Sequence, residues 1–96
     1  MTHYIALIHK ERESCYGVAF PDVPGVTTAG DTIDQAMKKA AEALEFAAED
    51  WPTHTGRAFP QPRTIDQLRA DLEFQEAAAD AVIAAVPFRA KVQAAE

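Results

Sequence analysis

Cysteine is nearly missing from this sequence. Cys15 stands alone among 96 residues, so the chain has no internal disulfide framework. Glycine is sparse as well. Gly17, Gly25, Gly30 and Gly56 are scattered, which excludes a glycine-rich phosphate loop, and no Ser-centred nucleophile elbow occurs. No apolar run approaches the roughly 20 residues needed to span a bilayer. The first residues, Met1-Thr2-His3-Tyr4, lack the basic start and apolar core of a signal peptide. A cytoplasmic protein without membrane contact is the expectation. Positive charge is also scarce, with 9 Lys and Arg against 15 Asp and Glu, a formal net charge of −6. Such a surface repels phosphate backbones, so residues 1–96 are not expected to bind nucleic acid directly. It would steer a basic protein towards itself, although mild acidity also serves plain solubility.

The size is that of one domain, and 48% hydrophobic residues are too many for a disordered chain. So small a domain leaves much surface exposed, which a partner or a second copy would help to cover. Residues 4–9 read as a strand that is apolar at both parities, so both of its faces should be covered. A charged turn at residues 10–14 leads to a second strand over 16–20, where Tyr16, Val18 and Phe20 alternate with Gly17 and Ala19. So short a connection predicts an antiparallel hairpin. Two prolines and Gly25 break the ladder at Phe20-Pro21-Asp22-Val23-Pro24-Gly25. A short third strand follows over 26–29, ended by Gly30 and Asp31.

Thr32-Ile33-Asp34-Gln35 is a capping-box pattern. The helix it opens carries Ile33, Ala36, Met37, Ala40, Leu44, Ala47, Ala48 and Trp51 on one stripe, and Pro52 should end it. Residues 52–63 read as a loop. Thr64-Ile65-Asp66-Gln67 repeats the cap and starts a short second helix. Residues 81–88 mix helix-favouring alanines with Val82, Ile83 and Val86, and are read as a fourth strand. The expectation is an α+β domain of two layers. It has an antiparallel three-stranded meander, a long helix, a short helix and a fourth strand added to the sheet. If that strand lies parallel to the first, the crossover should be right-handed.

Catalytic chemistry finds no footing. Two-metal cleavage needs carboxylates converging from central strands, and residues 4–9, 16–20 and 82–88 contain none. Asp22 and Asp31 sit in loops, while Glu42, Glu45 and Glu49 lie on the solvent side of the helix. His3 and His9 are roughly 20 Å apart along one strand, and His54 falls in the loop, beside no nucleophile. Cys15 reads as a small hydrophobe, since no basic cluster would activate it. The expectations are no catalytic residue, no metal site and no cofactor. Binding features are stronger. Phe46 falls on the polar side of the long helix, so either the Phe59-Pro60 loop folds back over it or it contacts another chain. Candidate partner contacts are Asp22, Asp31, Glu45, Phe46, Glu49 and Asp50, though each acidic residue is more often an ordinary solvated charge.

The motif residues Phe20, Pro21, Asp22, Pro24 and Gly25, then Gly30, Asp31 and Thr32, then Glu42-Ala43-Leu44, resemble the HicB family of type II antitoxins. So do Phe59-Pro60-Gln61-Pro62-Arg63-Thr64 and residues 82–87. The resemblance covers almost the whole chain. It implies a partial ribonuclease H-like fold without nuclease activity in residues 1–88. It also implies a small basic HicA-type, mRNA-cleaving toxin as partner, with its active site masked, and a homo-oligomer, most simply a dimer. Family members often add a C-terminal DNA-binding domain, of which the tail at 89–96 is at most the start. The alternative is a solitary interaction or ligand-sensing domain without a toxin.

Overall fold

The computed structural model describes residues 2–10 and 15–88. Four strands, β1 (Thr2–Lys10), β2 (Tyr16–Ala19), β3 (Thr27–Gly30) and β4 (Val82–Phe88), form one sheet in the order β3-β2-β1-β4. Between β3 and β4 come α1 (Ile33–Thr55), α2 (Ile65–Arg69) and α3 (Leu72–Ala77). The α+β class and the meander agree with the sequence reading. The turn at residues 11–14 and the tail at 89–96 lie outside the described residues.

The strand at residues 4–9 was expected to be covered on both faces, and it is. Tyr4, Ala6 and Ile8 pack with Val18, Phe20, Val23 and Val86 against Ala36, Ala40 and Leu44 of α1. Leu7, of the opposite parity, packs with Leu68 of α2 and Phe74 of α3. Alternate side chains of a strand point to opposite faces, so the short helices cover the face that α1 leaves open. The two expected layers are therefore three at β1. A domain this small gains its second core from that arrangement.

The fourth strand pairs with β1 antiparallel, from Thr2↔Phe88 to Ile8↔Val82, so the condition for a right-handed parallel crossover is not met. The reason is the path between the strands. Starting at the Gly30 end, α1 runs down one face to Trp51, whose ring meets Phe59. Phe59 also meets Tyr4 near the beginning of β1. The chain then climbs the other face until the Ala77 carbonyl lies 3.0 Å from His9 Nε2, near the end of β1. Two traverses return it to the end of β1, so β4 must run back down.

Local chemistry explains the helix limits. The Thr32 hydroxyl accepts from the Gln35 amide at 3.0 Å. The Gln35 side chain accepts from the Asp31 amide at 2.6 Å, one residue short of the expected reciprocal box. The box is complete at Thr64 and Gln67. Pro52 does not end α1. The helix continues to Thr55, and Gly56, at φ 72°, donates to the Pro52 carbonyl as a left-handed cap. The expected loop thus begins four residues later.

Gly30 is required by proximity rather than by turn geometry. Its φ is not positive, but an added Cβ would lie 2.5 Å from the Ala36 backbone nitrogen. Together with Ala36 and Ala40, this lets α1 lie directly on the sheet.

Candidate functional site

Two surfaces carry chemistry, one on each face of the sheet. The first grows from the turn after β2. Pro21 and Gly25, the latter at φ 91°, shape a turn in which the Val23 amide donates to the Phe20 carbonyl and the Val26 amide to that of Val23. This buries Val23 and turns the Asp22 carboxylate inward, leaving its side chain only 5% exposed. Both of its oxygens are engaged by one residue. The Arg63 backbone amide donates to Oδ2 at 2.7 Å and its Nε to Oδ1 at 2.6 Å. Arg63 Nη1 donates on to Asp71 Oδ2 at 3.0 Å. Asp71 also caps α3, accepting from the Glu73 amide at 2.9 Å. The Arg63 hydrogen bond, then that amide, hold the Asp71 carboxyl below the usual range. Charge-assisted bonds of this kind are short and directional.

Leu7, Ala19, Phe20, Pro21 and Phe74 floor a cavity of about 220 Å³ here, with Arg63, Asp71 and Glu73 at its rim. The Asp22 and Asp71 carboxylates already occupy the guanidinium. The cluster therefore links the turn after β2 to the starts of α2 and α3, and Asp22 is committed inside the fold. Arg63 carried no role in the sequence reading and Asp71 was absent from it. Their partners lie 41 and 8 residues apart, beyond any local pattern.

The second surface is the outward side of α1. Glu42, Glu45, Phe46, Glu49 and Asp50 follow at intervals of three, one, three and one residues, so they line one helix face. Phe46 is 71% exposed. Phe59 does not fold back over it. It is taken up by Tyr4, Trp51 and Phe88 in an aromatic cluster with centroid separations of 5.4–5.7 Å. Phe46 instead walls a shallow groove with Thr28 of β3 and Lys39, Glu42 and Ala43 of α1.

The candidate residues thus separate. Glu45, Phe46, Glu49 and Asp50 come together on α1. Asp31 is exposed at its start, at the other end of that helix. Phe20 is buried, whereas Pro24 and Gly25 are exposed in the turn. Among the described residues, no three His, Cys, Asp or Glu side chains gather as a metal site. None of the helices among them is long and apolar enough to cross a membrane.

Comparison with known proteins gives these surfaces a context. A family model, the HicB-like antitoxin of bacterial toxin–antitoxin systems, matches residues 4–94. An uncharacterised 14.9 kDa protein from the rep-hol intergenic region of Haemophilus phage HP1 is 36% identical over 61 residues. That alignment covers 64% of this chain and 45% of the phage protein. The crystal structure of the Burkholderia pseudomallei antitoxin HicB is similar at a TM-score of 0.70 and 34% identity, over 91% of this chain and 63% of the other. The N-terminal domain of that antitoxin gives the same score and identity over 90% of this chain and 96% of the domain. A HicA3–HicB3 toxin–antitoxin complex matches at a TM-score of 0.68 over 92% of this chain and 99% of the other, and at 24% identity it shows the fold alone. The chain thus spans under half of the phage relative and under two thirds of the full antitoxin.

Proposed function

The chain belongs to the HicB-like antitoxin family of bacterial toxin–antitoxin systems, and on that premise we propose that it is a cytoplasmic antitoxin. It binds a small basic HicA-type, mRNA-cleaving toxin and neutralises it by covering the toxin's active site. It acts as a binding protein rather than an enzyme, and as a homo-oligomer. The observation that carries the reading is the outward face of α1, where an exposed Phe46 stands among Glu42, Glu45, Glu49 and Asp50. An aromatic anchor ringed by charge is a common form of interface hot spot. Burying a phenylalanine is worth about 1.5–3 kcal/mol, and the carboxylates speed and orient the approach of a basic partner. A ribonuclease that binds RNA through positive charge presents the complementary surface.

The test is calorimetric titration of the purified chain with the product of a neighbouring gene for a small basic protein. Tight binding is expected, weakened roughly tenfold or more by Phe46→Asp and more steeply by added salt. If the wild-type chain does not bind, the toxin reading fails. If Phe46→Asp binds as well as wild type, the face is wrong.

The cavity beside Arg63 offers a second reading, a solitary ligand-sensing domain. Its guanidinium is already held by two carboxylates, which leaves little positive charge for an anionic ligand.

A further inference from the structure

The two edges of the sheet differ. The β3 edge is four residues long and carries Thr27 and Thr28. The β4 edge is seven residues long, reads Val-Ile-Ala-Ala-Val-Pro-Phe and contains no charge. Within the described residues β4 pairs only with β1, so its other side presents unpaired backbone groups. Exposed edges are usually blunted by charge, shortness or a bulge. This one carries a single proline near its end, which edge strands tolerate. Val82 and Ile83 are 53% and 41% exposed. The chain carries a net charge of −6; neither edge strand holds a charged residue, and β4 is the longer and more apolar of the two.

We infer that β4 is the self-association surface of this protein, pairing antiparallel with β4 of a second copy about a two-fold axis at Ala85. This rests on the homo-oligomeric part of the proposed function and names its surface. An isologous contact must be self-complementary, and this strand is. With Ala85 opposite Ala85, Val82 faces Phe88, Ile83 faces Pro87 and Ala84 faces Val86, so every cross-strand pair is apolar. The α1-side face sets half-buried Phe88 against exposed Val82. The result is one continuous eight-stranded sheet, with the α1 faces left free.

Sedimentation of the purified chain, with circular dichroism and melting as controls, tests this. Wild type is expected at twice the monomer mass, and both Ile83→Lys and Val82→Lys should weaken the dimer by roughly tenfold or more with unchanged spectra. The register is tested by Ala85→Cys in a Cys15→Ser background, which should oxidise to a covalent dimer, while Thr28→Cys in the same background should not. A wild-type chain that stays monomeric overturns both the inference and the homo-oligomeric reading. A dimer that withstands both lysine variants, or that crosslinks through Thr28→Cys and not Ala85→Cys, overturns the β4 assignment alone.

Discussion

Removing the Asp22 carboxylate should cost this domain a substantial part of its stability, although Asp22 lies in a turn. In Asp22→Ala, the Arg63 amide loses its acceptor at 2.7 Å and Nε loses its acceptor at 2.6 Å. A hydrogen bond to a charged group contributes about 1.5–3 kcal/mol net. Two such bonds set an upper limit, which solvent lowers because the Arg63 side chain is 38% exposed and keeps Asp71 as partner. The expected loss is about 2 kcal/mol, against the 5–15 kcal/mol that typically holds a domain together. For a domain of this size that is a fall of roughly 8–16 °C in melting temperature. Arg63→Ala should cost at least as much, because it leaves the Asp22 carboxylate, 5% exposed, without its cation and removes the Asp71 contact as well. Reversible thermal unfolding by circular dichroism measures both. An Asp22→Ala variant that melts within a degree of wild type would refute the cross-link, and so would an Arg63→Ala variant that does.

Gly30→Val should destabilise by about 3 kcal/mol or more, since its Cβ meets the Ala36 backbone and α1 must lift. Gly25→Val should cost about 1–2 kcal/mol, because φ 91° is strained for other residues although no atom lies within 4 Å; denaturant midpoints rank the two. The Tyr4 phenol is pushed above its ordinary value of 10.0 by burial first and by Asp22 second, so folding favours its neutral form. That stabilisation is complete below pH 10 and is lost as pH rises through the folded value. Alkaline unfolding curves should therefore fall more steeply for wild type than for Tyr4→Phe, and equal slopes would count against this role.

Much of the fold was legible because local and global signals agree. Alternation at Tyr16, Val18 and Phe20 marks a strand with one buried face. The unbroken apolar run at residues 4–8 requires cover on both, and its second cover proved to be Leu68 and Phe74. The split between α2 and α3 was harder to read. Ala70 ends one helix and Asp71 caps the next, but an alanine is a poor stop signal and the apolar spacing runs through both. Pro52 misled in the other direction. A proline removes one donor, yet the last turn of α1 closes on Gly56 and on a bond of 2.7 Å from the Thr55 hydroxyl to the Trp51 carbonyl. The direction of β4 depends on how often the chain crosses the sheet, which no window of residues contains. The Asp22–Arg63–Asp71 cluster was hidden for the same reason. Phe46 was legible because its position on the helix wheel contradicts its chemistry, and it is exposed in the fold.

The central claim is tested most directly by a ribonuclease assay. A small basic toxin encoded beside this chain is supplied with a messenger RNA, and cleavage is followed as the purified chain is added. Cleavage should fall to nothing at a fixed molar ratio, and Phe46→Asp should require a clear excess to reach the same point. Undiminished cleavage in the presence of excess folded wild-type chain would contradict the account.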